Sequence, residues 1–311
     1  MKKMILTLLI SIITTTISAK EFTMAIQPTF GAHQHIGYEI IERLEARGIT
    51  VNTVPTKSSI KGNSLLMNKQ IDVNVGSITS FIVLNDKMPE QSLLLSAIGH
   101  YKYFLQCTPD IKTMEDVKTT KIVTSGRNTL EHHTIRWLAK EHFGDPYALD
   151  ENFITMKRPQ IWQILQAGSS DVKCVMTGAP LQNKIQDELG FVTVATSDVE
   201  KGIAGSYNAY WTRKDWVDQN PDLAYAFITT AVEVIRDYNK DPITILEKFI
   251  QKDKMDTTAE YLQKGHIKNQ AIFHSDLRGS EYFNNFLYEI EYLKDNKGDI
   301  SKMIYRAEAL K

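Results

Sequence analysis

The chain is poor in cysteine: only Cys107 and Cys174 occur among 311 residues, and no CxxC pair exists. That excludes a scaffold stapled mainly by disulfides. It also lacks a surplus of charge. Lys and Arg number 36 against 37 Asp and Glu, a net charge of −1, which gives no electrostatic reason to expect nucleic acid as a partner. Internal repeats, Pro/Gly/Ser-rich linkers and low-complexity tracts are missing beyond the N-terminus. So are a P-loop, GxGxxG, GxSxG and HExxH. What remains is 42% hydrophobic and 23% charged, with 9% aromatic residues. Such a chain is globular, not disordered, collagen-like or polytopic in a membrane. Its length allows one large domain or two of about 150 residues.

Residues 1–19 read as a secretory signal peptide. Lys2 and Lys3 form a basic start, Met4 to Ile13 an apolar run, and Ile17-Ser18-Ala19 the small-residue end. The run is shorter than the roughly 20 residues a membrane-spanning helix needs. Cleavage after Ala19 takes the net charge from −1 to −3 and places the protein outside the cytoplasm, in the periplasm. Cys107 and Cys174 then face an oxidising compartment. Both lie in apolar, strand-like contexts, and the expectation is two buried free thiols. A disulfide is the alternative, because sequence does not give their separation.

The pattern that follows alternates short apolar runs with helical periodicity. Strands are expected at Phe22–Ile26, Ile49–Val54 and Ile71–Val75. A helix with Ile36, Ile40, Ile41 and Leu44 on one face, ended by Gly48, and a short helix closing at Gln70 separate them. That β-α-β-α-β order argues for parallel strands with right-handed crossovers. A second set follows, with strands at 121–123, 153–156, 172–176 and 191–195 and helices at 130–143, 159–167 and 180–189. Asn208–Thr212 reads as a return strand, and the remainder is mostly helical. Two such units without a linker predict an α/β protein of two lobes joined by crossing strands. Tyr103–Gln106 and Tyr210–Thr212 are the candidate crossings.

In open α/β sheets ligands bind beyond the carboxyl ends of the strands. Those segments here are Gln27–Phe30, Thr56–Ser59, Gly76–Ser80, Ser125–Thr129 and Thr177–Pro180. They hold hydroxyls, amides and glycines and no carboxylate. Opening helices as they do, they would also offer free backbone N–H groups to a small anion or polar molecule. Ser77, Thr79, Ser125, Gly126, Asn128 and Thr129 are the first candidates, all as donors. Gln27, Ser58, Arg127 and Tyr210 come next, Arg127 for a bidentate oxyanion contact. No catalytic residue is expected. Cys107 and His100 lack an orienting partner. His33 and His35, and the adjacent His132 and His133, are read as surface or cleft histidines, with no metal or other cofactor.

Several stretches carry a resemblance. Leu65-Leu66-Met67-Asn68-Lys69-Gln70-Ile71-Asp72-Val73 is one, and Ile111 to Ile122 with Glu115-Asp116-Val117 at its middle is a second. Gln166-Ala167-Gly168-Ser169-Ser170-Asp171-Val172 is a third, and Tyr210-Trp211-Thr212-Arg213 with Asn220-Pro221-Asp222-Leu223 a fourth. In this order and spacing they resemble the solute-binding proteins of ABC importers. The nearest group handles nitrate, taurine, aliphatic sulfonates and thiamine-type pyrimidine precursors. The resemblance implies the two-lobed periplasmic-binding-protein fold (type II), with lobe 1 at 20–104 and 212–311 and lobe 2 at 105–211. It further implies a monomer that captures a small polar or anionic organic molecule and delivers it to an inner-membrane ABC permease, with no bond broken. Two other classes stand beside it. One is an enzyme on the same fold, of the pyrimidine-precursor or menaquinone-pathway type, against which the leader and the lack of acid/base pairs at the strand ends argue. The other is a ligand-sensing scaffold.

Overall fold

The computed structural model describes residues 20–27, 32–168, 171–178, 180–197, 208–268, 270–277, 280–294 and 300–305. The expected leader (1–19), the turn at 28–31 and Ala179 lie outside them. The first lobe begins with β1 (Glu21–Ile26), α1 (Ala32–Ala46), β2 (Thr50–Pro55), α2 (Ser59–Met67), β3 (Val73–Ser77), α3 (Ile78–Lys87) and β4 (Ser92–His100). The second holds β5 (Phe104–Cys107), α4 (Met114–Val117), β6 (Lys121–Thr124), α5 (Leu130–Phe143), β7 (Phe153–Thr155), α6 (Arg158–Gln166), β8 (Val172–Thr177), α7 (Leu181–Leu189) and β9 (Val192–Thr196). The chain then returns through β10 (Asn208–Arg213), α8 (Lys214–Gln219), α9 (Pro221–Lys240), α10 (Pro242–Asp253), α11 (Ala259–Lys268), β11 (Ile272–Phe273) and α12 (Ser280–Glu289).

The strands form two sheets, ordered β11-β4-β10-β3-β1-β2 and β7-β6-β8-β5-β9. In the first, β1 runs parallel to both β2 and β3. In the second, β6 runs parallel to both β7 and β8. In each sheet an inner strand, β1 or β6, thus has the next strand of the chain on one side and the one after that on the other. Such a reversal of direction opens a crevice at the carboxyl ends of the two inner strands. The crevices lie between β1 and β3 and between β6 and β8. Helix α1 stops because Gly48 accepts φ +78°, a left-handed conformation that suits glycine. The stretch 78–100 has continuous apolar runs without a period. It folds into α3 and β4, which periodicity does not pick out.

Three expectations need correction. Cys107 and Cys174 are not free thiols but a disulfide with Cα atoms 4.1 Å apart. They sit directly opposite each other on antiparallel β5 and β8, which brings their side chains to one face. Tyr210–Thr212 does not cross between lobes, because β10 pairs along its whole length with β3 and β4 of the first sheet. Likewise β5 belongs wholly to the second sheet. The lobe changes therefore fall outside these strands, at 101–103 and between Thr196 and Asn208. The two stretches are tied together: the Tyr103 N–H donates to Ser197 Oγ (2.9 Å) and the Ser197 N–H to the Tyr103 carbonyl (3.0 Å).

The segment 280–294 does not stay on the first lobe. Besides packing on α3, it meets α5 of the second, where the Tyr292 ring lies edge-on to His133 with centroids 4.4 Å apart. Tyr147, in the loop after α5, donates its hydroxyl to the Ile290 carbonyl, and Lys140 pairs with Glu289. Among the described residues no helix is long and apolar enough to cross a membrane.

Candidate functional site

The first-lobe corner is built around Gln27, which is 7% exposed at the end of β1. Its Nε2 donates to the Val75 carbonyl (2.6 Å) and Ser59 Oγ (3.3 Å). A carbonyl cannot donate, so the amide orientation is fixed, with Nε2 on these two partners and Oε1 as the acceptor end. Ser59 Oγ also receives the Ser77 N–H (3.3 Å). Below lies a polar network inside the apolar sheet. Asn74 Nδ2 donates to the Ser59 carbonyl (3.1 Å) and to Asn63 Oδ1 (3.0 Å). The fully buried Trp211 donates its Nε1–H to the same Asn63 Oδ1 (2.9 Å). Asn63 Nδ2 holds the Ser80 carbonyl (2.8 Å) in the first turn of α3. A methyl on Gly76, at φ +151°, would overlap Ser59 Oγ, so the close approach of β3 to α2 requires glycine.

Ser77 and Thr79 stand at the start of α3. Ser77 is its N-cap, but its side chain caps no N–H and instead shares a hydrogen bond with Thr79 Oγ1 (2.7 Å). The first-turn amides of α3 thus have no side-chain cap, which leaves them as donors. Ser58, by contrast, is exposed and caps α2, accepting from the Lys61 N–H (3.2 Å).

The second-lobe loop after β6 spends most of the donors expected of it. Ser125 Oγ donates to Glu131 (3.1 Å), a buried carboxylate in the first turn of α5. Thr129 caps α5, accepting from the His132 N–H, while its hydroxyl donates to the Gly126 carbonyl (2.8 Å). Asn128 adopts a left-handed φ of +61°, and its N–H donates to His132 Nδ1 (3.1 Å). Arg127 is exposed and turns to the Asp150 carbonyl (3.4 Å). Gly126 and the Asn128 side chain remain at the surface of the loop. His132 and His133 are not surface or cleft residues but are buried in α5. Burial, with the Arg136 guanidinium as a lesser cause, lowers His132 to about 4. Burial, with His132 and Arg136 beside it, lowers His133 to about 3. Tyr210 is another correction. It is fully buried with its ring edge-on to Phe227 at 5.1 Å, and burial pushes its phenol far up. It packs the core between α1 and α9 and lines no crevice.

The two corners meet through residues the sequence reading did not pick. Asn208 lies opposite Ser77 in the β10–β3 register, and its Nδ2 donates to the Tyr101 hydroxyl (3.4 Å). The Tyr101 ring packs on Gly178 at the end of β8, where an added methyl would stand 3.1 Å from it. A path Ser77–Asn208–Tyr101–Gly178 therefore joins the inner-strand ends of both sheets. Ser77 and Gly178 belong to the strand-end segments read from the sequence, whereas Asn208 and Tyr101 carry no local signal of this role. Among the described residues no group of three His, Cys, Asp or Glu side chains is placed to hold a metal ion.

No family model and no curated protein sequence matches the chain. Solved structures do. A putative periplasmic sulfonate-binding protein, SsuA, of Methylobacillus flagellatus is similar at 17% identity and a TM-score of 0.67, over 94% of this chain and 93% of that one. The alkanesulfonate-binding protein SsuA of Xanthomonas axonopodis pv. citri, bound to MOPS, is similar at 10% identity and 0.69, over 92% and 98%. A Candida albicans protein, described as having the generic periplasmic binding protein structural fold, is similar at 14% and 0.68, over 91% and 94%. At such identities the likeness speaks of architecture, and with the two sheets and their paired crevices it establishes that this chain has the periplasmic-binding-protein fold.

Proposed function

We propose that the protein is the extracytoplasmic solute-binding component of an ABC importer. It captures a small polar or anionic organic molecule, sulfonate- or taurine-like, between its lobes and delivers it to a membrane permease. It acts as a monomer and breaks no bond. The observation that carries this reading is the pair of strand-end crevices brought together by Asn208 and Tyr101, in a fold that the SsuA proteins use for sulfonate binding. The buried Cys107–Cys174 disulfide supports an oxidising compartment outside the cytoplasm. An anionic head group is received at the uncapped start of α3, beside Ser77 and Thr79, rather than at the α5 loop, where Glu131 already occupies the positive helix end. Gln27 Oε1 accepts a donor on the ligand. Ser58, Gly126, Arg127 and Asn128 contribute at the rim, and Ser125 and Thr129 shape the loop.

A thermal-shift panel on the exported protein tests this. It holds taurine, short alkanesulfonates, nitrate and pyrimidine precursors. A compound that binds only the folded state raises the melting temperature as its concentration passes Kd. The expected result is a rise with one chemical class that Gln27→Ala weakens, with the compound recovered unchanged. Recovery of a converted product, or no rise with any compound, overturns the reading.

A further inference from the structure

Where α7 of the second lobe runs beside α11 of the first, one polar side chain is buried without compensation. Asn183, in the first turn of α7, is 3% exposed, and neither its Oδ1 nor its Nδ2 has a hydrogen-bond partner among the described residues. It faces Gly265 in the interior of α11, where an added Cβ would overlap the Asn183 amide nitrogen. Glycine is unfavourable in a helix interior relative to alanine. No positive φ asks for it here, so close approach of the other lobe accounts for it. One turn further along, Lys268 of α11 pairs with Asp187 of α7 at 3.3 Å. The seam is polar, and this ion pair is half-exposed and so contributes little.

We infer that Asn183 and Gly265 set the open–closed balance of the lobes, and so tune affinity from outside the ligand site. This rests on the solute-capture reading, in which the lobes part and close. Closing the seam strips water from the Asn183 amide and returns no hydrogen bond, which is a cost confined to the closed form. Gly265 permits the closure sterically. The ligand-free protein is therefore biased open, and ligand binding has to offset the bias. Apparent affinity falls by the fraction of molecules able to close.

The two residues act in opposite directions, which a merely structural role does not predict. Removing the amide with Asn183→Ala lightens the cost of closing. A methyl wedge, Gly265→Ala, props the seam open. In the double variant the wedge meets empty space, so its effect shrinks. Small-angle X-ray scattering of the ligand-free exported protein reads the balance without knowledge of the ligand. Asn183→Ala should move the open–closed ratio toward closed by roughly tenfold and lower the radius of gyration. Gly265→Ala should raise that radius, and Gly265→Ala added to Asn183→Ala should raise it much less. A wedge effect equal in both backgrounds, or an Asn183→Ala protein that is more open or unchanged, overturns the inference. Identical scattering from all four proteins also overturns it, while solute capture is judged separately by the ligand panel. A melting curve for each variant separates loss of folding from a shift between folded forms.

Discussion

The two lobes share one strand order at their inner strands but hold themselves together differently. In the first, Trp211, Asn63, Asn74, Ser59 and Gln27 form one connected network beneath the crevice, and the buried atoms Thr56 Oγ1 and Asn85 Oδ1, unpartnered among the described residues, lie outside it. In the second, Gln106, His133 and Asn183 are buried with neither side-chain polar atom hydrogen-bonded among the described residues. The sheet face under α6 and α7 there is filled by a small cluster of Val123, Ile161, Leu165, Val172, Val175, Ile185 and Phe191. The disulfide between β5 and β8 lies in this lobe. The covalent staple thus lies in the lobe where Gln106, His133 and Asn183 are buried without side-chain partners among the described residues, and the networked corner of the first lobe holds without one.

The strongest way to break the comparison is to remove the staple. Cys107→Ala with Cys174→Ala should destabilise the protein by about 2–4 kcal/mol, chiefly by releasing the unfolded chain. Hydrogen exchange should then quicken across 104–196 and hardly change in β1–β3. Equal quickening in both sheets would show that the lobes unfold as one unit.

Acid sharpens the contrast. Burial lowers His132 and His133 in the second lobe to about 4 and about 3, and lowers His266 in the first to about 4. A histidine kept neutral by the fold stabilises fully above its unfolded pKa near 6.5. The contribution is lost as pH falls toward the folded value, because the unfolded chain takes up the proton first. Each such group is worth about 2 kcal/mol between pH 7 and pH 5. The second lobe, with two of them, should lose more and open first. Denaturant melts followed by lobe-resolved hydrogen exchange at pH 7, 6 and 5 check the order, and first-lobe unfolding ahead of the second would contradict it.

A third test enters the first-lobe network. Trp211→Phe keeps most of the buried ring but deletes the bond to Asn63 Oδ1. The expected loss is about 1–2 kcal/mol. It should come with weaker ligand binding, because Asn63 also holds the first turn of α3 through the Ser80 carbonyl.

Local pattern is what made the architecture legible. The alternation at 49–54 and the spacing of Ile36, Ile40 and Leu44 are properties of neighbours in the chain, and they led to parallel strands and to strand-end crevices. The runs Phe81-Ile82-Val83-Leu84 and Leu93-Leu94-Leu95 have no period, since elements covered on both sides need none, and α3 and β4 were missed for that reason. The site was legible as a set of segments but not as a set of free donors. Gln27 meets Val75 and Ser59 across 48 and 32 residues, and Trp211 meets Asn63 across 148. Tyr210 and Trp211 look alike as aromatics near a supposed crossing, yet both sit in the core, because β10 is a central strand flanked by β3 and β4.

The smallest expected effect falls on the residue whose role changed most. Thr129 was expected to donate to a ligand. In the fold its hydroxyl donates to the Gly126 carbonyl, and its oxygen accepts from the first turn of α5. Thr129→Ala should therefore cost about 1 kcal/mol of stability, the usual value of a helix N-cap. Thr129→Ser, which keeps the hydroxyl, should recover most of that. Ligand affinity should hardly change in either variant. Asn128→Ala is the control, since its backbone N–H to His132 survives and its exposed side chain is the part of the loop still open to a ligand. Affinity lost at Thr129 in proportion to stability kept would return that hydroxyl to the ligand. Stability lost with affinity kept would confirm that the second lobe uses its loop to cap a helix and leaves the reception of an anion to α3.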